Sequence, residues 1–247
     1  MENKTGNSTE SLEETPKLLF KVSLMRHEKP YYKNEGHDLT PEGVDRSIMT
    51  GKKLKADGII SDNDEIILMH SPVARAKGTL DFVAQGAGLE DIPKIEIDQL
   101  RKSDMPDHQA FMDRFNEVNG DVERLAEDHY KNPMFEERPD IIEPHSHKKD
   151  RLYRSFEYLI RWFENHPVET KTPHIIAVSH FEIITHIIDD VFGIENTGKY
   201  HSPGFGEIVY IEAYDIGDKD KVKLKVTYNE LSKEVNFNRA DRSVEVI

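Results

Sequence analysis

Cysteine is absent from this chain of 247 residues, which removes disulfides, thiolate metal sites, iron–sulfur clusters and a cysteine nucleophile together. Long cationic runs are missing too: 33 Lys and Arg stand against 47 Asp and Glu, and basic clusters are as short as His147-Lys148-Lys149. A duplex binder needs concentrated positive surface to release counterions, so a net charge of -14 argues against nucleic acid and against anionic membranes as partners. No apolar stretch approaches the ~18 residues of a membrane span. The opening Met1-Glu2-Asn3-Lys4-Thr5-Gly6 has no apolar leader core, so a cytoplasmic location is expected.

What the chain does have is a set of short apolar runs separated by helical patterns. Residues 1–16 are polar and read as a flexible tail. Residues 18–25 form a strand-length apolar run, followed at once by Arg26-His27. Thr40-Pro41 opens a helix to about residue 56, with Thr40 as N-cap and Pro41 in the first turn. Residues 65–70 predict a second strand, residues 73–85 a helix, and residues 94–100 an edge strand. Between 101 and 150 lies a charged, proline-interrupted segment, helical around 111–130, that reads as an insertion or lid.

Beyond it, apolar residues at helical spacing mark 151–165, a strand follows at 174–179, and a helix runs over 181–192. Residues 207–214 and 222–228 predict a hairpin across Gly217-Asp218-Lys219-Asp220, and residues 232–247 read as a C-terminal tail. Strands alternating with helices predict an α/β domain over 17–231: a doubly wound, mostly parallel sheet flanked by helices, with an inserted helical segment and a C-terminal β-hairpin.

Three of the predicted strands end in polar or cationic side chains: Arg26-His27, Ser71 with Arg75, and Ser179-His180. Ligands of open α/β sheets bind at the carboxyl ends of the strands. Guanidinium forks match phosphate oxygens, and imidazole serves as donor or nucleophile, so these residues would make a phosphate cradle if they met. His145-Ser146-His147 has no companion acidic residues at a recognised ligand spacing, so no metal is expected there, and no cofactor is expected elsewhere. Tyr31 and Tyr32 are placed either as pocket walls or as loop residues covering the sheet edge, and His186 in or beside the core.

The segments Leu24-Met25-Arg26-His27, Leu39-Thr40-Pro41-Glu42-Gly43, Ser71-Pro72-Val73-Ala74-Arg75-Ala76-Lys77-Gly78-Thr79 and Val178-Ser179-His180, in this order and spacing, resemble the histidine phosphatase superfamily with its phosphoglycerate mutase-like fold. The resemblance implies that His27 accepts the phosphoryl group while Arg26, Arg75 and His180 bind its oxygens. Two permanent cations and a protonated imidazole would neutralise the equatorial oxygens without metal.

The chain departs from the family pattern in three places. Glu28 and Phe181 stand where glycine normally follows each histidine, and Lys102 aligns with the family's acid. Asp104 is therefore the first choice as proton donor. Glu182 is the second choice or a substrate contact, because another branch carries its acid just after the second histidine. Asn34 matches the family's asparagine with a spacing off by one and is expected to touch phosphate or substrate. The resemblance thus implies a metal-independent phosphatase acting on a small phosphomonoester or a phosphoprotein through a phosphohistidine. The alternatives are a catalytically weak phosphate-binding or regulatory module, and a phosphoglycerate-type mutase.

Overall fold

In the computed structural model the described residues are 16–33, 35–117, 119, 137–193 and 202–247. The reading of 1–16 as a tail and the helical reading beyond residue 117 therefore lie almost wholly outside them, as does Asn34.

The strand β1 (Lys17–Arg26) runs through the middle of the sheet because it is apolar on both faces. Val22 and Leu24 enter one core cluster and Met25 the other, the alternation that a two-period strand imposes. Parallel to it lies β4 (Thr172–Ser179), whose Ile175 and Ala177 face one core and Ile176 and Val178 the other. Next come β2 (Asp64–His70) and the short edge strand β3 (Lys94–Glu96), both parallel. On the other side of β1 the sheet turns antiparallel through β5 (Ile208–Asp215), β6 (Lys221–Tyr228), β7 (Leu231–Asn238) and β8 (Val244–Val246). Among the described residues the order is β3-β2-β4-β1-β5-β6-β7-β8.

Helices cover both faces. α1 (Pro41–Ala56) and α2 (Ala74–Ala87) form one layer, and α4 (His145–Asn165) with α5 (Phe181–Phe192) forms the other; α3 (His108–Glu117) lies within the insertion. The Thr40 hydroxyl caps α1 by accepting from the Gly43 amide at 3.1 Å. α1 and α2 meet at Gly51 and Gly86, where a Cβ would fall 2.0 Å from Val83 O and from Ile48 O respectively, so backbone packs on backbone. No helix of the described residues is long and apolar enough to cross a membrane.

Three expectations change. Residues 232–247 are not a tail: β7 and β8 extend the predicted hairpin, because Asn229, at φ 53, and Glu230 make a two-residue turn that pairs Leu231 with Tyr228 and turns Val235 and Phe237 inward. The helix expected from 151 begins at His145, so the insertion ends inside α4. The third strand stops at Glu96, and the residues after it wind into a 3-10 turn, Asp98–Leu100, where the Leu100 carbonyl takes the Ser179 hydroxyl at 2.8 Å.

The chain leaves β1 toward β2 by way of α1, and leaves β4 toward β5 by way of α5. The carboxyl ends of β1 and β4 thus lie side by side at the point where the winding reverses, the position at which α/β sheets hold ligands.

Candidate active site

Arg26 ends β1, His70-Ser71 ends β2, and Ser179 ends β4; His27 and His180 follow the outer two of these as the next residues. Parallel register brings them together: Arg26 pairs with Ser179, and the His27 amide donates to the Ser179 carbonyl at 3.0 Å. The imidazole centroids of His27 and His180 are 5.1 Å apart, edge to face. His27 Nδ1 lies 2.8 Å from the Glu28 carbonyl, which can only accept, so the proton sits on Nδ1 and the lone pair on Nε2. Arg75, on the first turn of α2, donates from Nε to that Nε2 at 3.1 Å. His180 Nε2 pairs with the Ser71 hydroxyl at 2.8 Å.

Thr79 anchors the frame, one helical turn beyond Arg75. Its hydroxyl donates to the Arg75 carbonyl at 2.8 Å and accepts from the Glu28 amide at 2.9 Å. The guanidinium of Arg26 lies over the rings of Phe205 (4.0 Å) and Phe181 (5.0 Å), and its Nη1 donates to the Pro203 carbonyl at 2.6 Å. Tyr32, at φ 60, places its ring 5.6 Å from the Arg75 guanidinium, which favours the pocket-wall reading for it.

His27, His180 and Arg75 retain 3%, 1% and 8% of their surface, and burial dominates their electrostatics. It drives the His27 imidazole well below its usual range, with the nearby His180 and Arg75 adding to the effect. It does the same to His180, aided by Arg75, Lys102 and Arg26. Burial thus disfavours the protonated imidazole expected from the sequence at His180 and leaves the two arginines as the permanent cations beside the histidines. An arriving phosphate dianion would reverse that balance at His180, since an opposite charge favours the protonated form.

The two glycine replacements fit without backbone strain, because neither Glu28 nor Phe181 has positive φ. Phe181 is the first residue of α5 and faces Arg26. The Glu28 carboxyl pairs with Arg46 Nε of α1 at 3.2 Å.

Asp104, expected as proton donor, is placed differently. Arg101 clasps both its oxygens, at 2.7 to 3.3 Å, and holds the carboxyl below its usual range, so it is ionised and poorly suited to deliver a proton. Glu182, on the first turn of α5, is better placed: its Oε1 accepts from the Ser103 amide at 3.1 Å, and its charge acts on Arg75. Sequence reasoning gave no role to Thr79, which closes the third motif segment, and did not single out Arg46 or Phe205. The first two repeat with helical spacing on α2 and α1, and Phe205 lies inside Ser202-Pro203-Gly204-Phe205-Gly206, a turn-forming stretch that draws no attention on its own.

His145 and His186 do meet, at 5.5 Å between centroids, but no group of side chains able to hold a metal ion occurs among the described residues.

No protein-family model and no curated protein sequence matches the chain. Solved structures do. A phosphoglycerate mutase from Bacillus anthracis is 14% identical with a TM-score of 0.58, over 87% of this chain and 93% of that one. A mycobacterial glucosyl-3-phosphoglycerate phosphatase is 13% identical with a TM-score of 0.58, over 85% and 97%. Bacillus stearothermophilus YhfR is 18% identical with a TM-score of 0.52, over 81% and 96%. At these identities the likeness is one of fold.

Proposed function

With the phosphoglycerate mutase-like fold of the histidine phosphatases as premise, we propose that this chain is a phosphomonoesterase that needs no metal and works through phospho-His27. The observation that carries the reading is the Arg75–His27 contact: a guanidinium points at the one imidazole nitrogen left with a lone pair, at the switch point of the sheet. In the first step Nε2 attacks phosphorus, the bond to the leaving oxygen breaks, and that oxygen takes a proton that Glu182 has picked up from solvent as the phosphate dianion binds beside it, like charge favouring the neutral acid. In the second, water attacks the phosphohistidine, the P–N bond breaks, and Glu182 recovers its proton from the water. Arg26, Arg75 and a newly protonated His180 neutralise the transferring group.

The substrate we propose is a small phosphomonoester or a phosphorylated protein. A mutase and a phosphatase are both among the structural likenesses, which does not choose between hydrolysis and transfer; hydrolysis is favoured because the acid-containing segment characteristic of the mutases is absent, Lys102 standing at its aligned position. A second reading, a phosphate-binding module, rests on the same Arg75 contact, since the guanidinium must swing off Nε2 before phosphorus can reach it.

The test is hydrolysis of an aryl phosphate in excess chelator by the wild-type chain, His27→Ala and Arg75→Ala. The phosphatase reading expects turnover that His27→Ala abolishes. Tight phosphate binding by folded protein with no turnover would select the binding module.

A further inference from the structure

The carboxylate that follows the proposed nucleophile is an unusual object. Glu28 is 1% exposed, and its carboxyl, pushed up by burial, is paired with Arg46 on α1. Its backbone belongs to that site, for its carbonyl fixes the His27 tautomer and its amide is tied through Thr79 to Arg75. Its side chain belongs to something else. Oε1 meets Arg46 Nε at 3.2 Å, and Oε2 accepts from the Lys29 amide at 3.3 Å. Arg46 reaches onward from α1, donating from Nη2 to the Phe205 carbonyl at 2.8 Å.

Phe205 returns to the centre. Its ring lies 5.7 Å from the His27 ring and 4.0 Å from the Arg26 guanidinium. The next residue, Gly206, has φ +74 and packs its Cα so closely on Glu28 that a Cβ would come within 2.0 Å of Oε1. The Gly206 amide donates to the Arg26 carbonyl at 3.2 Å. One residue thus joins, through its carbonyl, the nucleophile's tautomer and, through its carboxylate, a helix on one face of the sheet and the loop that covers Arg26.

Stability is a poor explanation for this arrangement. Arg46 is about half exposed, and a pair with one partner in water contributes little, while a buried carboxylate costs desolvation. What the pair supplies is position. We infer that Glu28 and Arg46 form a latch that seats the Phe205–Gly206 loop on Arg26 and His27, making both of them positioning residues for phosphoryl transfer. This rests on the phosphatase reading of the site. Arginine is specific to the role, because its fork serves Glu28 and the Phe205 carbonyl at once, which a single ammonium cannot.

The test uses the full chain with Arg46→Ala, Arg46→Lys and Glu28→Gln, and Lys53→Ala as the control from the same helix. Misplacing reacting groups by ~1 Å from a distance can slow a reaction by up to ~100-fold, so Arg46→Ala is expected to lower kcat on an aryl phosphate by roughly tenfold. Arg46→Lys should recover only part of this, and Lys53→Ala should match wild type. The nitrogen-15 resonances of His27 and the affinity for inorganic phosphate are read alongside. Both should change in Arg46→Ala at an unchanged fold. Should Glu28→Gln fail to fold, Arg46→Ala alone decides. Unchanged kcat, His27 resonances and phosphate affinity in Arg46→Ala would overturn the latch. If the wild-type chain turns nothing over, the phosphatase reading falls, and the latch is still judged by the resonances and the phosphate affinity.

Discussion

Arg75 Nε stands 3.1 Å from His27 Nε2, although the two residues are 48 positions apart and enter the site from different layers. β1 brings His27 to its carboxyl end, and the turn after β2 starts α2 with Arg75 in its first turn. The contact aims a fixed cation at the atom on which charge is transferred. Removing it by Arg75→Ala should lower kcat/KM by ~100- to 1,000-fold, as for a lost donor to a developing anion. Arg75→Lys should recover little, because a point charge cannot reproduce the fork. Steady-state kinetics on one aryl phosphate checks both, and a loss below about threefold would contradict the assignment.

The rate should hold up in acid. His27 attacks only when neutral, and burial with its cationic neighbours keeps its folded value well below the usual ~6.5. The acid limb of kcat/KM should therefore fall below pH ~6.5, where an exposed histidine would already be protonated. In Arg75→Met the burial stays and one cation leaves, so the limb should move to higher pH. A limb that stays put would show that Arg75 does not act on His27.

Stability should decline on mild acidification. His27, His174, His180 and His186 all have folded values lowered chiefly by burial, so below pH ~6.5 the unfolded chain binds more protons and unfolding is favoured. The loss grows as pH falls toward the folded values and is absent above the unfolded one. Glu28, raised by burial, acts in the opposite sense, one carboxyl against four imidazoles. Thermal midpoints across pH ~8 to ~5 should drop; a flat or rising trend would contradict the buried neutral state.

The choice of proton donor separates two carboxylates. Glu182→Gln should slow alkyl phosphates, whose leaving oxygens need a proton, far more than activated aryl phosphates. Asp104→Asn should leave both near wild type, since Arg101 already occupies that carboxylate. The reverse pattern would return the role to Asp104.

The sequence made the central strands and both histidines readable because the signals are local. A strand buried on both faces is a continuous apolar run, and the residue following it must lie at the sheet's ligand end. Arg26 was readable for the same reason, as the last residue of β1, whereas Arg75 stands in the first turn of α2 and its role came through the resemblance. Asp104 misled because its role depends on Arg101, three residues away but held by tertiary contacts, and linear spacing does not say whether a carboxylate is spoken for. β7 went unread because Val235 and Phe237 are the only strongly apolar pair in a charged stretch, and its pairing rests on the two-residue turn at Asn229-Glu230. Arg46 and Phe205 were out of reach: they lie 159 positions apart, and nothing in either neighbourhood mentions the other.

The most direct measurement is rapid acid-free quenching of the wild-type chain during turnover of a phosphorus-labelled aryl phosphate, followed by peptide mapping. The account predicts an acid-labile label on the peptide bearing His27, formed as fast as product is released and absent from His27→Ala. Steady turnover with no label, or a label that persists in His27→Ala, would contradict it.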